Sequence, residues 1–62
     1  MTSPTQSVWN VEFTGDYFAL TSTVMADNED EAVVNATHLL LKHYGINIDA
    51  ISNEINVWEI AQ

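Results

Sequence analysis

The sequence predicts an α+β domain of order ββαβ: a three-stranded, mainly antiparallel sheet with one helix packed on one face. Three observations predict it. Apolar and polar residues alternate over Ser7–Thr14. Aromatic and β-branched residues fill Tyr17–Ala26. An acidic run then opens a segment of helical apolar period that stops at Gly45.

In the first strand Trp9, Val11 and Phe13 share one face, and Asn10, Glu12 and Thr14 the other. A period of two marks a half-buried strand. Gly15-Asp16 follows, and glycine at the first central position suits a type II′ hairpin turn. In the second strand Phe18, Leu20 and Val24 fall on one face, interrupted by Ser22, with Tyr17, Thr21, Thr23 and Met25 on the other. Asn28 with Glu31 three residues on makes a capping-box pattern, with Asp27 and Asp30 as the alternative frame. Carboxylates in the first turn face the positive end of the helix dipole. The helix is expected over Glu29–Tyr44, with Gly45 in the left-handed C′ position and Ile46 packing back on Leu41 in a Schellman motif. At about 100° per residue, Ala32, Val33, Ala36, Leu40 and His43 form one stripe, widened by Leu39 and Tyr44. Val34 and Leu41 lie beyond it, so the apolar arc exceeds what one three-stranded sheet covers.

The connection Gly45–Asn53 carries Ile46, Ile48 and Ile51, expected to fold onto the end of the core, with Asp49 capping a short turn. Glu54–Ile60 is the third strand, with Ile55 and Val57 on one face and Trp58 and Ile60 on the other. A bulge near Val57-Trp58 would reconcile them, as would a strand apolar on both faces. Pairing of the third strand with the first gives an antiparallel order 2-1-3, the preferred arrangement; pairing with the second gives a mixed sheet. Residues 1–6 read as a disordered tail with neither a basic nor an apolar signal-peptide region, and residues 7–62 as one domain.

The 62 residues allow a single core, and a domain of this size is expected to be stable by roughly 3–5 kcal/mol. Cysteine is absent, which excludes disulfides and thiolate metal sites and fits a cytoplasmic protein. Nine acidic residues face one Lys42, for a net charge of -8. Such a surface repels nucleic-acid phosphates and anionic membranes, and no stretch reaches the ~20 apolar residues of a membrane span. It favours solubility and fast association with a basic protein surface.

The pattern of a catalytic or cofactor site is missing. His38 and His43 stand five apart, about 140° round a helix, so they do not chelate one ion together. His43, on the apolar stripe, reads as a satisfied, partly buried histidine, and His38 as surface. Gly15 and Gly45 are the only glycines, too few for a phosphate loop. Asp27–Glu31 lacks the central glycine and distal glutamate of an EF-hand; it reads as solvated charge at a helix start. No catalytic, metal-binding or cofactor-binding residue is assigned. The candidate site is instead a contact surface: the acidic residues Asp27, Glu29, Asp30 and Glu31, and the apolar residues Tyr17, Val34, Leu41 and Trp58, with Trp58 and Tyr17 as the favoured patch because interfaces are enriched in Trp and Tyr.

The run VMADNEDEAVVNATHLLLKHYGINID, with Ala26, Glu31-Ala32, Ala36, Leu40 and Tyr44-Gly45-Ile46, resembles a pattern in small uncharacterised proteins encoded by bacteriophages, including phages of cyanobacteria. It covers about half of the chain and carries fold-specifying positions rather than functional ones. The resemblance implies a phage origin and raises the expectation of a small accessory protein or a virion component. Two functions are weighed ahead of a third, a small enzyme or metal-dependent catalyst, which the missing constellations disfavour. One is a non-enzymatic acidic protein-binding module that modulates or inhibits a host enzyme or defence protein, acting as a nucleic-acid mimic where the bound groove normally holds DNA or RNA. The other is a self-associating structural protein, a homodimer or a small capsid or tail component, since three strands leave two open edges.

Overall fold

The computed structural model describes residues 6–61. In chain order the elements are β1 (Ser7–Thr14), β2 (Ala19–Ala26), α1 (Glu29–Tyr44), α2 (Ile48–Ile51) and β3 (Glu54–Ala61). The three strands form one antiparallel sheet in the order β2-β1-β3, with α1 across one face: the ββαβ, 2-1-3 arrangement. The expected tail lies outside the described residues except for Gln6, which is exposed. Among the described residues no helix is long and apolar enough to cross a membrane.

Alternation decides which face of the sheet meets the helix. Trp9, Val11 and Phe13 pair with Val24, Ser22 and Leu20 on β2, and with Glu59, Val57 and Ile55 on β3. Val11, Phe13, Val24 and Ala26 are buried beneath Ala32, Ala36 and Leu40 of α1 and Ile48 of α2. Burial of side chains such as Phe13, Ile48 and Val11 contributes roughly 1.5–3 kcal/mol each. The small Ala32 and Ala36 allow α1 to approach the sheet closely. Two polar contacts fasten the β2–α1 junction. The Trp9 indole N–H donates to the Ala26 carbonyl at 3.0 Å, and the Asn35 side-chain amide donates to the Met25 carbonyl at 3.0 Å.

The helix ends follow their caps. Asn28 has extended backbone and its Oδ1 accepts the Glu31 N–H at 2.9 Å. The return bond differs from the expected box: Glu31 Oε1 accepts the Asp27 N–H at 2.6 Å, one residue before the cap. At the other end Gly45 is left-handed, with φ 68°. Its N–H donates to the Leu41 carbonyl at 3.0 Å, and the Ile46 N–H donates to Leu40 at 3.2 Å. The first of these is the bond of the simple αL cap, not of the Schellman motif. Ile46 turns into the core while Leu41 stays exposed.

Several expectations are corrected. β2 begins at Ala19, so Tyr17 and Phe18 are loop residues. The turn centres on Asp16-Tyr17, closed by the Gly15 N–H donating to the Phe18 carbonyl at 2.9 Å. Gly15 has no positive φ, so this is not a type II′ turn. Its glycine answers a spatial need, because a Cβ there would lie 2.7 Å from Phe18 Cδ1. The bulge in β3 falls not at Val57-Trp58 but where Trp9 pairs with Glu59 and Val8 with Ala61, which leaves Ile60 as the additional residue. His43 is exposed rather than partly buried, since the sheet underlies only part of the apolar arc. Ile51 is exposed, and α2 is preceded by Asn47 without a side-chain cap, so Asp49 lies inside its first turn.

Candidate functional site

Helix α1 covers one face of the sheet and leaves the other bare. On that bare face the register stacks residues in rows across β2, β1 and β3. Ala19, Thr14 and Glu54 form the row nearest the hairpin. Thr21, Glu12 and Asn56 come next, then Thr23, Asn10 and Trp58. Met25 and Val8 lie side by side at the far end. Within the third row Thr23 Oγ1 donates to Asn10 Oδ1 at 2.7 Å. The face is therefore polar near the hairpin and apolar toward the far end, where Met25 is 55% and Trp58 44% exposed.

The acidic residues begin at that same far end, because β2 finishes at Ala26 and leads directly into Asp27. Asp27, Glu29 and Asp30 are exposed, and Glu31 is half-buried. Glu31 is engaged in the helix cap through its side chain and its N–H, so part of its role is structural. Glu59, opposite Trp9, adds a further carboxylate near this end. Among the described residues no group of three or more His, Asp or Glu side chains is arranged to hold a metal ion.

The four apolar candidates do not converge. Tyr17 projects from the hairpin loop, 99% exposed. Trp58 lies opposite Asn10, four residues from Thr14 along β1, or about 13 Å at 3.3 Å per residue. The structure therefore does not bring Trp58 and Tyr17 into one patch. Val34 and Leu41 stand on the outer side of α1, where with Thr37, His38 and Asp49 they line a shallow depression. Val34 follows the acidic run by one turn of α1 on the outer side of the helix, and Trp58 lies on the bare sheet face at the middle of β1.

Two features escaped the sequence reading. Met25 and Val8 were assigned to strands but not to a surface, since their neighbourhood with Trp58 exists only in the register. The second is a groove of about 340 Å³ between β2 and the second half of α1, lined by Leu20, Ser22, Leu39, Leu40, Tyr44 and Ile46 with Thr21 and Thr23. Its only signal in the sequence was the width of the apolar arc.

Compared with protein-family models, curated proteins and solved structures, the chain matches none.

Proposed function

We propose that this chain is a non-enzymatic, acidic protein-binding module that uses the bare sheet face and the adjoining start of α1 to hold a basic protein surface. One observation carries the reading: exposed Trp58 and Met25, with half-buried Val8, run along the bare face toward the end of the fold that carries Asp27, Glu29 and Asp30. Exposed aromatic and methionine side chains supply contact area. The carboxylates supply attraction at a distance, within a field set by the net charge of -8. A groove that otherwise holds DNA or RNA fits such a charge, and occupying it would make the chain a nucleic-acid mimic. The resemblance to phage-encoded proteins would make the partner a host enzyme or defence protein and the chain its inhibitor.

The test is retention of proteins from cell lysate on the immobilised chain at low and high salt. The native chain is compared with Trp58→Ala and with the double variant Glu29→Gln, Asp30→Asn. A partner bound by the native chain is expected to be lost from Trp58→Ala at both salt concentrations. The charge variant should bind more slowly and show a weaker dependence on salt. Retention of nothing by the native chain, or equal retention by all three, would overturn the reading.

A further inference from the structure

The sheet has two edges, and they are guarded unequally: β2 is covered at Met25 by the Asn35 side chain and is open at Thr21 and Thr23. Three hydrogen bonds fix which backbone groups point where. The Gly15 N–H donates to the Phe18 carbonyl, so the odd-numbered residues of β1 bond toward β2. The Asn53 N–H donates to the Thr14 carbonyl at 2.7 Å, so the even-numbered ones bond toward β3. By alternation in an antiparallel ladder, Leu20, Ser22 and Val24 face β1, while Thr21, Thr23 and Met25 turn their N–H and C=O groups outward. The Asn35 side chain, seated on the Met25 carbonyl, agrees with this. Proteins blunt open edges with charge, proline, bulges or covering segments. The β3 edge has Glu54, Glu59 and a bulge. The β2 edge, ALTSTVMA, has neither charge nor proline, and its pairing with β1 is regular over all eight residues.

We propose that β2 pairs with β2 of a second copy of this chain, joining two sheets into one of six strands. Charge selects this occupant. A chain of net charge -8 associates with itself at least cost where carboxylates are absent. All nine lie outside Ala19–Ala26 and outside the stretch 32–44 of α1, which contains the one lysine, Lys42. A two-fold axis at Ser22 pairs Thr21 of each copy with Thr23 of the other, so their outward N–H and C=O groups bond mutually and their side chains form Thr–Thr pairs, a favourable cross-strand combination. The same axis places both α1 helices on one face of the joined sheet, where Leu39 and Tyr44 of each copy cover the groove of the other. The pairing does not draw on the exposed Glu29 and Asp30 at the start of α1, which makes the assembly bivalent for a basic partner.

The experiment measures mass by light scattering over a wide concentration range, together with amide hydrogen exchange. The expected result is twice the 6.9 kDa of the chain, with Thr21 and Thr23 amides that gain protection as concentration rises. The double variant Thr21→Lys, Thr23→Lys places like charges opposite each other across the axis. It is expected to weaken the dimer on the order of tenfold, although it lowers the net charge and sets a cation beside Glu12. The variant Thr21→Lys, Thr23→Glu places opposite charges there and is expected to restore the dimer. Circular dichroism confirms that each variant is folded. A native chain that stays at 6.9 kDa at millimolar concentration overturns the proposal. So does a dimer whose Thr21 and Thr23 amides exchange freely, or one that the double-lysine variant leaves intact.

Discussion

The two glycines separate two reasons for lacking a side chain. Gly45 sits at φ 68° with nothing within 4 Å of where a Cβ would be, so its need is purely conformational. Gly45→Ala is expected to lower stability by about 1–2 kcal/mol, and Gly45→Asn by less, since asparagine tolerates the left-handed region. Gly15 has an ordinary φ but no room beside Phe18. Gly15→Ala is expected to cost about 1–3 kcal/mol through overpacking. That cost should shrink in a Phe18→Ala background, whereas the cost at Gly45 should not; urea-unfolding midpoints of the single and double variants decide this. The need at Gly45 was legible, because a glycine that ends a helical period has one common use. The need at Gly15 was not, because a close approach by a ring three residues away leaves no trace in local pattern. A turn rule applied to Gly15-Asp16 therefore placed the turn one residue too early.

At the scale of elements, α1 was legible to the residue at both ends, since Asn28 and Gly45 are strong signals acting in agreement. Its depth of burial was less so. The helical period groups His43 with Leu40, but the sheet is only three strands wide and β3 is partly uncovered, with Ile55 exposed. Neighbouring leucines consequently have opposite weights. Leu40→Ala, in the core, is expected to cost about 2–5 kcal/mol, enough to unfold a domain this small. Leu41→Gln, at a position 55% exposed, should change stability by less than about 0.5 kcal/mol. Thermal unfolding followed by circular dichroism reads both. Asn28→Ala belongs with them as a test of the cap, with an expected loss of about 1 kcal/mol. The strand order was also readable, because an antiparallel third strand beside β1 turns Val57 and Ile55 to the helix side, where Val57 packs against the core. The bulge at Ile60 was misplaced because sequence alternation shows that a slip occurs in β3 and not where.

For the whole molecule, charge is the dominant property, and it is not neutralised internally. A chain with nine acidic residues and one lysine repels itself more when compact than when unfolded. Raising salt from about 0.01 to 0.15 M shortens the screening length from roughly 30 to 8 Å. The urea midpoint is therefore expected to rise with sodium chloride, and a midpoint that falls would show that specific ion pairs outweigh the general repulsion. The composition disclosed the charge, but the placing of the Asp27–Glu31 run beside bare apolar surface comes from the register and the direction of the β2–α1 junction. The order of strands has one more consequence, in time. β1 is the central strand and precedes its neighbours in the chain, and its partner on one side, β3, is separated from it by the hairpin, both helices and their loops. On a ribosome adding ~5–20 residues per second, the nascent hairpin waits a few seconds with the future middle of the sheet as a temporary border. During that interval Asn10, Glu12 and Thr14 offer their backbone to any passing strand, and only the arrival of Glu54–Ala61 closes the vacancy.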